Sequence, residues 1–247
     1  MKVYHIVYEP LFKSADIHFW TRCNLACRAC YTKYEKLDFG LFDDPISMIA
    51  TKPSEEPPSC FLSLSEVIDL IEGRDIDDVI FMGTEPTLDP EMPLLAEELR
   101  RRFNCRIILL TNGFERGNLD HIDEIIFSLK AYKDDLHRDY TGKSNGRILN
   151  NFFSINRSGK KLQAETVIIP GYIDATEIEH IAGFIASVDT VIPLRIDAYF
   201  PVGDNPWPAA TAEEVEAAAK AARKHLRHVS CLTLDMKRIG EKPIRLF

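Results

Sequence analysis

"DIHFWTRCNLACRACY", residues Asp16 to Tyr31, begins as a short apolar run and ends in three cysteines spaced Cys-x-x-x-Cys-x-x-Cys: Cys23, Cys27 and Cys30. Residues 16–21 read as a strand that delivers a cysteine loop at its carboxyl end. Three thiols this close want a metal. A structural zinc site takes four ligands, usually in two close pairs. No second pair exists, because Cys60, Cys105 and Cys231 are scattered. His18 is a candidate fourth ligand, but alternation along the strand can point it elsewhere. A cubane iron–sulfur cluster is held by thiolates and normally takes four. Three protein ligands would leave one iron open, as catalytic metal sites leave a position open for a small molecule.

Outward from this loop, strand-like and helix-like stretches alternate. Strands are expected over 16–21, 78–83 (DVIFMG), 105–113 (CRIILLTNG), 124–129 (EIIFSL), 164–170 (AETVIIP) and 191–200 (VIPLRIDAYF). Helices are expected over 64–73, with Ser65 as N-cap and Gly73 as stop, and over 90–103, 146–158, 174–188 and 211–226. Buried apolar strands separated by helices define an α/β fold with a parallel sheet and helices outside. About six such units are too few for a closed eight-fold barrel and point to a partial barrel. Ligand sites in parallel α/β folds lie at the carboxyl ends of strands. There the chain carries the cysteines, then GTEP (83–86), TNG (111–113) and SLK (128–130).

The chain has 247 residues, 45% of them hydrophobic, and a net charge of -8. It is long enough for one domain spanning 1–247 with a full core. The acidic balance argues against nucleic acid as a partner. Residues 223–247 depart from it, with seven Lys/Arg against two Asp/Glu, a local +5. This basic C-terminal segment is expected to be solvated, or else to touch an acidic substrate or partner. The opening "MKVYHIVYEPLF" does not read as a signal peptide. No run is long enough for a membrane span, so no membrane partner and a cytoplasmic location are expected. Cys60, Cys105 and Cys231 are expected to be buried small hydrophobes. Residues 36–60 break the rhythm, with four prolines and apolar groups at Leu37, Phe39, Leu41, Phe42, Ile46, Met48 and Ile49. An inserted loop this long, leaving directly from the cysteine loop, is a candidate lid of the pocket, with a mere packing loop as the alternative.

CNLACRAC (23–30) resembles the signature of the radical S-adenosylmethionine (SAM) superfamily. The resemblance implies a partial (β/α)6 barrel and a [4Fe-4S] cluster on Cys23, Cys27 and Cys30. It implies a SAM molecule on the open iron, cleaved reductively to methionine and a 5′-deoxyadenosyl radical that takes a hydrogen atom from the substrate. GTEP (83–86) is similar to the family's GGEP motif, with Thr84 in place of the second glycine. Its backbone and Glu85 are thereby implied to hold the SAM amino group. Residues 128–149 resemble the D-x-K…H…G-x-S-N segment of the pyruvate formate-lyase-activating branch, through Lys130, His137, Gly142, Ser144 and Asn145. VIIPGYID (167–174) and AYFPVG (198–203) resemble later segments of that branch. The implied cofactor-binding residues are Ala29, Tyr31, Gly83, Thr84, Glu85, Asn112, Ser128 and Lys130.

The chain departs from the branch at four positions. Ser128 stands for its Asp, Leu110 for an acidic residue before Thr-Asn-Gly, Phe200 for a His, and Ala29 for an aromatic. These departures suggest a related enzyme with a different substrate. The implied partners are a one-electron donor of ferredoxin or flavodoxin type and a protein substrate. The alternatives are a radical SAM enzyme acting on a nucleobase or small metabolite, and a non-catalytic metal-binding module.

Overall fold

The structure, a computed structural model, describes residues 1–42 and 56–247. All six expected strands form: β2 (Ser14–Phe19), β3 (Asp78–Gly83), β4 (Arg106–Thr111), β5 (Glu124–Ser128), β6 (Lys161–Ile168) and β7 (Leu194–Ala198). They pair in parallel, in chain order. A short β8 (Val229–Leu232) extends the parallel sheet beyond β7. β1 (Val3–Glu9) runs antiparallel to β2, and β9 (Ile244–Arg245) antiparallel to β1. The nine-stranded order β8-β7-β6-β5-β4-β3-β2-β1-β9 does not close on itself, as a partial barrel requires.

The connecting helices are α1 (Leu64–Ile71), α2 (Met92–Phe103), α4 (Gly146–Arg157), α5 (Ala175–Val188) and α6 (Ala212–Ala222), with a short α3 (Asp134–Thr141) before α4. The cap of α1 is Ser63, not Ser65. The Ser63 side chain accepts from the Glu66 N–H while the Glu66 carboxylate accepts from the Ser63 N–H, so the reciprocal capping pair decides the start. Thr211 and Glu214 make the same pair at α6.

Alternation along the strands divides their side chains. Ile17, Phe19, Val79, Phe81, Ile107, Leu109, Ile125 and Phe127 are fully buried in one core with Val67, Leu95, Phe152, Ile181 and Val215 of the helices. Each such side chain contributes roughly 1.5–3 kcal/mol when withdrawn from water. The opposite face lines the inside of the curved sheet and is mixed, with Ile80, Ile108 and Ile126 beside polar groups at the two ends of the sheet. Ser128, Glu165 and Arg195 are neighbours across β5, β6 and β7. Arg195 donates to Glu165 (2.7 Å) and, through Nε, to Asp197 (2.8 Å).

The basic C-terminal segment is not a solvated tail throughout. It supplies β8 at one edge of the sheet and β9 at the other, and Arg238 donates to the carbonyls of Gly40 (2.6 Å) and Phe42 (2.7 Å). His5 joins the two segments: its Nδ1 meets the Phe247 carbonyl and its Nε2 accepts from the Asp38 N–H. Burial, followed by the neighbouring His18, lowers the His5 pKa to about 4.

Asp16 and His18 of β2 share this interior. His18 Nε2 lies 3.0 Å from Asp38 Oδ2, so alternation has turned it away from the cysteines. Asp16 Oδ1 is buried with no hydrogen-bond partner among the described residues. Burial, then the carboxylates of Asp38 and Glu9, push Asp16 up to about 8. The folded protein therefore holds a proton that the unfolded chain has released once the pH passes the ordinary Asp value. Stability from this group is present at low pH and is lost as the pH rises toward 8. Asp16→Asn should remove that slope. Thermal melts from pH 5 to pH 9 should show the wild-type Tm falling by several degrees relative to the variant; parallel melting curves would refute the burial argument.

Candidate functional site

The site begins where β2 and β3 end together. Gly83 has φ +110°, and a Cβ there would stand 2.3 Å from the Phe19 carbonyl oxygen. Only glycine allows this approach. It brings the Thr84 N–H onto the Phe19 carbonyl at 3.0 Å. Thr84 itself is not among the described residues with positive φ, so a side chain is accommodated. Its hydroxyl accepts from the Thr21 N–H (2.8 Å) and reaches the Thr21 carbonyl (3.0 Å). The threonine that departs from the family glycine thus stitches the start of the cysteine loop to β3.

Glu85 turns inward and is 1% exposed. Its Oε1 accepts from the hydroxyls of Thr87 and Thr111, both at 2.7 Å, and its Oε2 from the Asn112 N–H at 2.8 Å. Burial raises its pKa while these donors lower it, with a net upward shift. The carboxylate locks the end of β3 to the end of β4. Asn112, held this way, points its amide at Asn24 Oδ1 (2.9 Å) and Cys23 Sγ (3.6 Å). Gly113 follows at φ +70°, and a Cβ there would fall 1.8 Å from Phe127 Cζ, so the core ring of β5 dictates the glycine of TNG.

Cys23, Cys27 and Cys30 are free and half-buried. They line one cavity of about 260 Å³ together with Trp20, Thr21 and Thr84. Among the described residues no three His, Cys, Asp or Glu side chains are set to hold a single metal ion. Three thiols lining one cavity, with no fourth cysteine beside them, match the donor set of a cubane group better than that of a four-ligand structural zinc site. Burial pushes the Cys27 thiol up to about 11 and raises Cys23 as well. Unliganded, these thiols are unreactive acids; a metal must displace their protons.

Of the remaining expected contacts, Ala29, Tyr31, Ser128 and Lys130 do not line this cavity. Lys130 Nζ donates to Ser128 Oγ, so the serine standing for the branch's Asp is engaged by the motif lysine. Ala29 and Tyr31 are half-buried in the loop. The Tyr31 ring lies 4.4 Å from Phe39, which meets Phe200 at 5.1 Å. Leu110 lies half-buried on the interior face of β4. His137 is 1% exposed, donates from Nδ1 to the Lys143 carbonyl at 2.7 Å, and has no partner for its buried Nε2 among the described residues. Burial lowers its pKa. Ser144 and Asn145 are structural: the Ser144 hydroxyl and the Asn145 N–H both donate to Asp134 Oδ1, shaping the α3–α4 turn. Cys105 is buried as expected, but Cys60 is exposed and Cys231 only half-buried. Of the candidate lid, residues 43–55 lie outside the described residues.

One group of residues escaped the sequence reading. Arg28, between two of the cysteines, places its guanidinium 4.8 Å from the Trp207 ring and 5.5 Å from Tyr172. Those rings stack at 4.3 Å. Arg28 and the Tyr172 hydroxyl both donate to Asp139 Oδ2. The loop backbone joins the same anchor, with the Ala26 and Arg28 N–H groups on the carbonyls of Thr141 (2.9 Å) and Tyr140 (3.0 Å). Three side-chain partners from distant segments leave no spacing signal in the sequence; a lone arginine among the ligands was the only hint.

This arrangement is a strand-end pocket of an α/β partial barrel built around a three-cysteine loop. A family profile described as Radical SAM superfamily matches residues 17–185. The chain belongs to the radical SAM superfamily and is an enzyme, similar to the pyruvate formate-lyase-activating branch. It is 30% identical over 227 residues to MJ1632 of Methanocaldococcus jannaschii, whose name as a glycyl-radical enzyme activating enzyme is itself inferred; the match covers 87% of this chain and 79% of that one. A pyruvate formate-lyase-activating enzyme of Staphylococcus aureus is 31% identical over 125 residues, 47% of this chain and 50% of the relative. The crystal structure of a radical SAM methyltransferase from Sphaerobacter thermophilus superposes with TM-score 0.62 at 14% identity, covering 96% of this chain and 72% of that one.

The Arg28 anchor yields a direct expectation. Arg28→Ala should cost about 1 kcal/mol, given the partial exposure of the group. More tellingly, the reconstituted variant should lose iron to a chelator several-fold faster than wild type, with Arg28→Lys intermediate. Equal iron retention in all three proteins would show that the loop does not depend on this contact.

Proposed function

We propose that the enzyme holds one [4Fe-4S] cluster on Cys23, Cys27 and Cys30, binds SAM at the open iron, and activates a protein substrate by removing a hydrogen atom, as in glycyl-radical activation. The single observation behind this reading is three free, half-buried thiols around one strand-end cavity. When bound, the cluster would supply the electron for reductive cleavage of SAM, and SAM the group that takes the hydrogen atom.

The chain's own residues do the rest. The backbone of Gly83 and Thr84 forms the ledge for the SAM amino group. Glu85, fully engaged inside the protein, positions that ledge and Asn112. Asn112 steadies Cys23, and the Lys130–Ser128 pair supplies the polar edge beneath. Tyr31, Phe39 and Phe200 make an apolar wall that keeps water and stray hydrogen donors from a radical. Of the candidate lid, the described residues 36–42 carry Phe39 into this wall. Among the described residues no helix is long and apolar enough to cross a membrane, and a reducing cytoplasm suits the unpaired thiols.

Anaerobic reconstitution with iron and sulfide, followed by SAM and dithionite, should give 5′-deoxyadenosine and methionine in equal amounts. Cys23→Ala, Cys27→Ala and Cys30→Ala should each abolish both, and exposure to air should destroy the activity within hours. A fully iron-loaded wild type that forms no 5′-deoxyadenosine, or a triple variant that still does, would overturn the reading.

A further inference from the structure

The inner face of the last parallel strands carries an ion network that the functional reading leaves without a role. Leu162, Ala164 and Ile168 of β6 and Leu194, Ile196 and Ala198 of β7 are buried in the core. Alternation therefore turns Glu165, Arg195 and Asp197 to the inside of the sheet. Glu165 stands level with Ser128, the last residue of β5, and with Arg195 on β7. The Leu129 N–H donates to the Glu165 carbonyl at 2.9 Å, which ties the network to the strand end that carries Lys130. Burial raises the Asp197 pKa, and Arg195 and Lys130 draw it back down, so both cations act on one carboxylate.

Arg195 is held in one orientation. Its Nε donates to Asp197 Oδ1 at 2.8 Å, and its Nη2 donates to Asp197 Oδ2 at 3.0 Å and to Glu165 Oε2 at 2.7 Å. Two atoms stay outside these pairs. Among the described residues Arg195 Nη1 and Glu165 Oε1 have no hydrogen-bond partner, and neither is sealed from solvent. The Arg195 side chain keeps 35% of its surface exposed. A fixed donor and a fixed acceptor thus stand close together, open to the space inside the sheet. Lys130 and Arg195 offset Glu165 and Asp197 in charge, two against two. Such a wall suits a neutral group that donates one bond and accepts another, because a net charge on the ligand would find no partner to match it.

We propose that Glu165 and Arg195 read the main chain of the protein substrate at the residue that loses its hydrogen atom. The inference rests on the functional reading above. In an extended chain the N–H and C=O of one residue point to the same side, as they do when antiparallel partners exchange two bonds. That N–H donates to Glu165 Oε1, and that C=O accepts from Arg195 Nη1. A glycine at this position has no side chain to hold its backbone away from the wall. Both contacts are to main-chain atoms, so they fix the α-carbon without asking for a particular neighbouring side chain. The pair determines specificity by selecting an extended residue with a free N–H.

The test uses the full-length reconstituted enzyme with SAM and two neutral peptides, acetyl-Ala-Ala-Gly-Ala-Ala-amide and its analogue with N-methylglycine at the centre. The central α-carbon of each carries deuterium. Anaerobic calorimetry reads binding, and mass spectrometry reads deuterium in 5′-deoxyadenosine after dithionite is added. Wild type should bind the glycine peptide about tenfold more tightly than the N-methyl analogue and take deuterium from it. In Glu165→Ala the two peptides should bind within about twofold of each other, because the N–H has lost its acceptor. Arg195→Lys, which keeps a charge beside Asp197 but withdraws Nη1, should weaken both peptides and keep the preference. Each preference is a ratio within one protein, so the folded fraction of a variant does not enter it. A wild type that binds neither peptide at millimolar concentration, binds both equally, cleaves SAM without taking deuterium, or binds uridine more tightly than the glycine peptide would overturn the inference. So would a Glu165→Ala protein that keeps the tenfold preference. A wild type that forms no 5′-deoxyadenosine would instead overturn the functional reading.

Discussion

The site depends on the contact between the ends of β2 and β3, where Gly83 lies against the backbone of Phe19 with no room for a side chain. That approach fixes the direction in which the chain leaves β2. Thr84 then fastens Thr21, and Thr21 donates to the Glu85 carbonyl at 2.7 Å. Glu85 carries the connection on to Thr111 and Asn112 at the end of β4, and Asn112 returns it to Cys23. The cysteine loop is therefore held from beneath by three strand ends and from the side by Arg28, Asp139, Tyr172 and Trp207. A metal cluster on such a loop inherits the rigidity of the sheet.

The polar interior and its apolar rim differ in kind. Arg195, Glu165 and Asp197 form a closed ion network inside the sheet, while Phe200 and Phe39 crowd Tyr31 at the rim. Three of the departures from the activating-enzyme pattern act in this region: Ser128 accepts from Lys130, Leu110 faces inward without a charge, and Phe200 joins an aromatic cluster. Each replaces a polar contact by a smaller or apolar one. The supports of the cysteine loop at Gly83, Glu85 and Asn112 do not involve these three positions.

The parallel sheet was legible in the sequence because strands covered by helices on one side read as apolar runs, as in DVIFMG and EIIFSL. The cysteine loop was legible because ligand spacing is local. β1 and β9 were not, since their pairing joins the two ends of the chain and leaves no short-range pattern. α3 was hidden by its polarity: its buried groups are His137, Tyr140 and Thr141, none of which marks an apolar stripe. Ser63 rather than Ser65 caps α1 because Glu66 reaches back to it, a choice that spacing alone does not decide. Cys60 was expected inside on residue type alone, yet it lies in an exposed connection where no core is available.

Three cysteine ligands would leave one iron of a [4Fe-4S] cluster open for SAM. Electron paramagnetic resonance of the anaerobically reduced protein, recorded with and without SAM, tests it most directly. The expected outcome is a [4Fe-4S]⁺ signal whose g-values shift on adding SAM, because the molecule would enter the coordination sphere. A cluster signal that is identical with and without saturating SAM would contradict it.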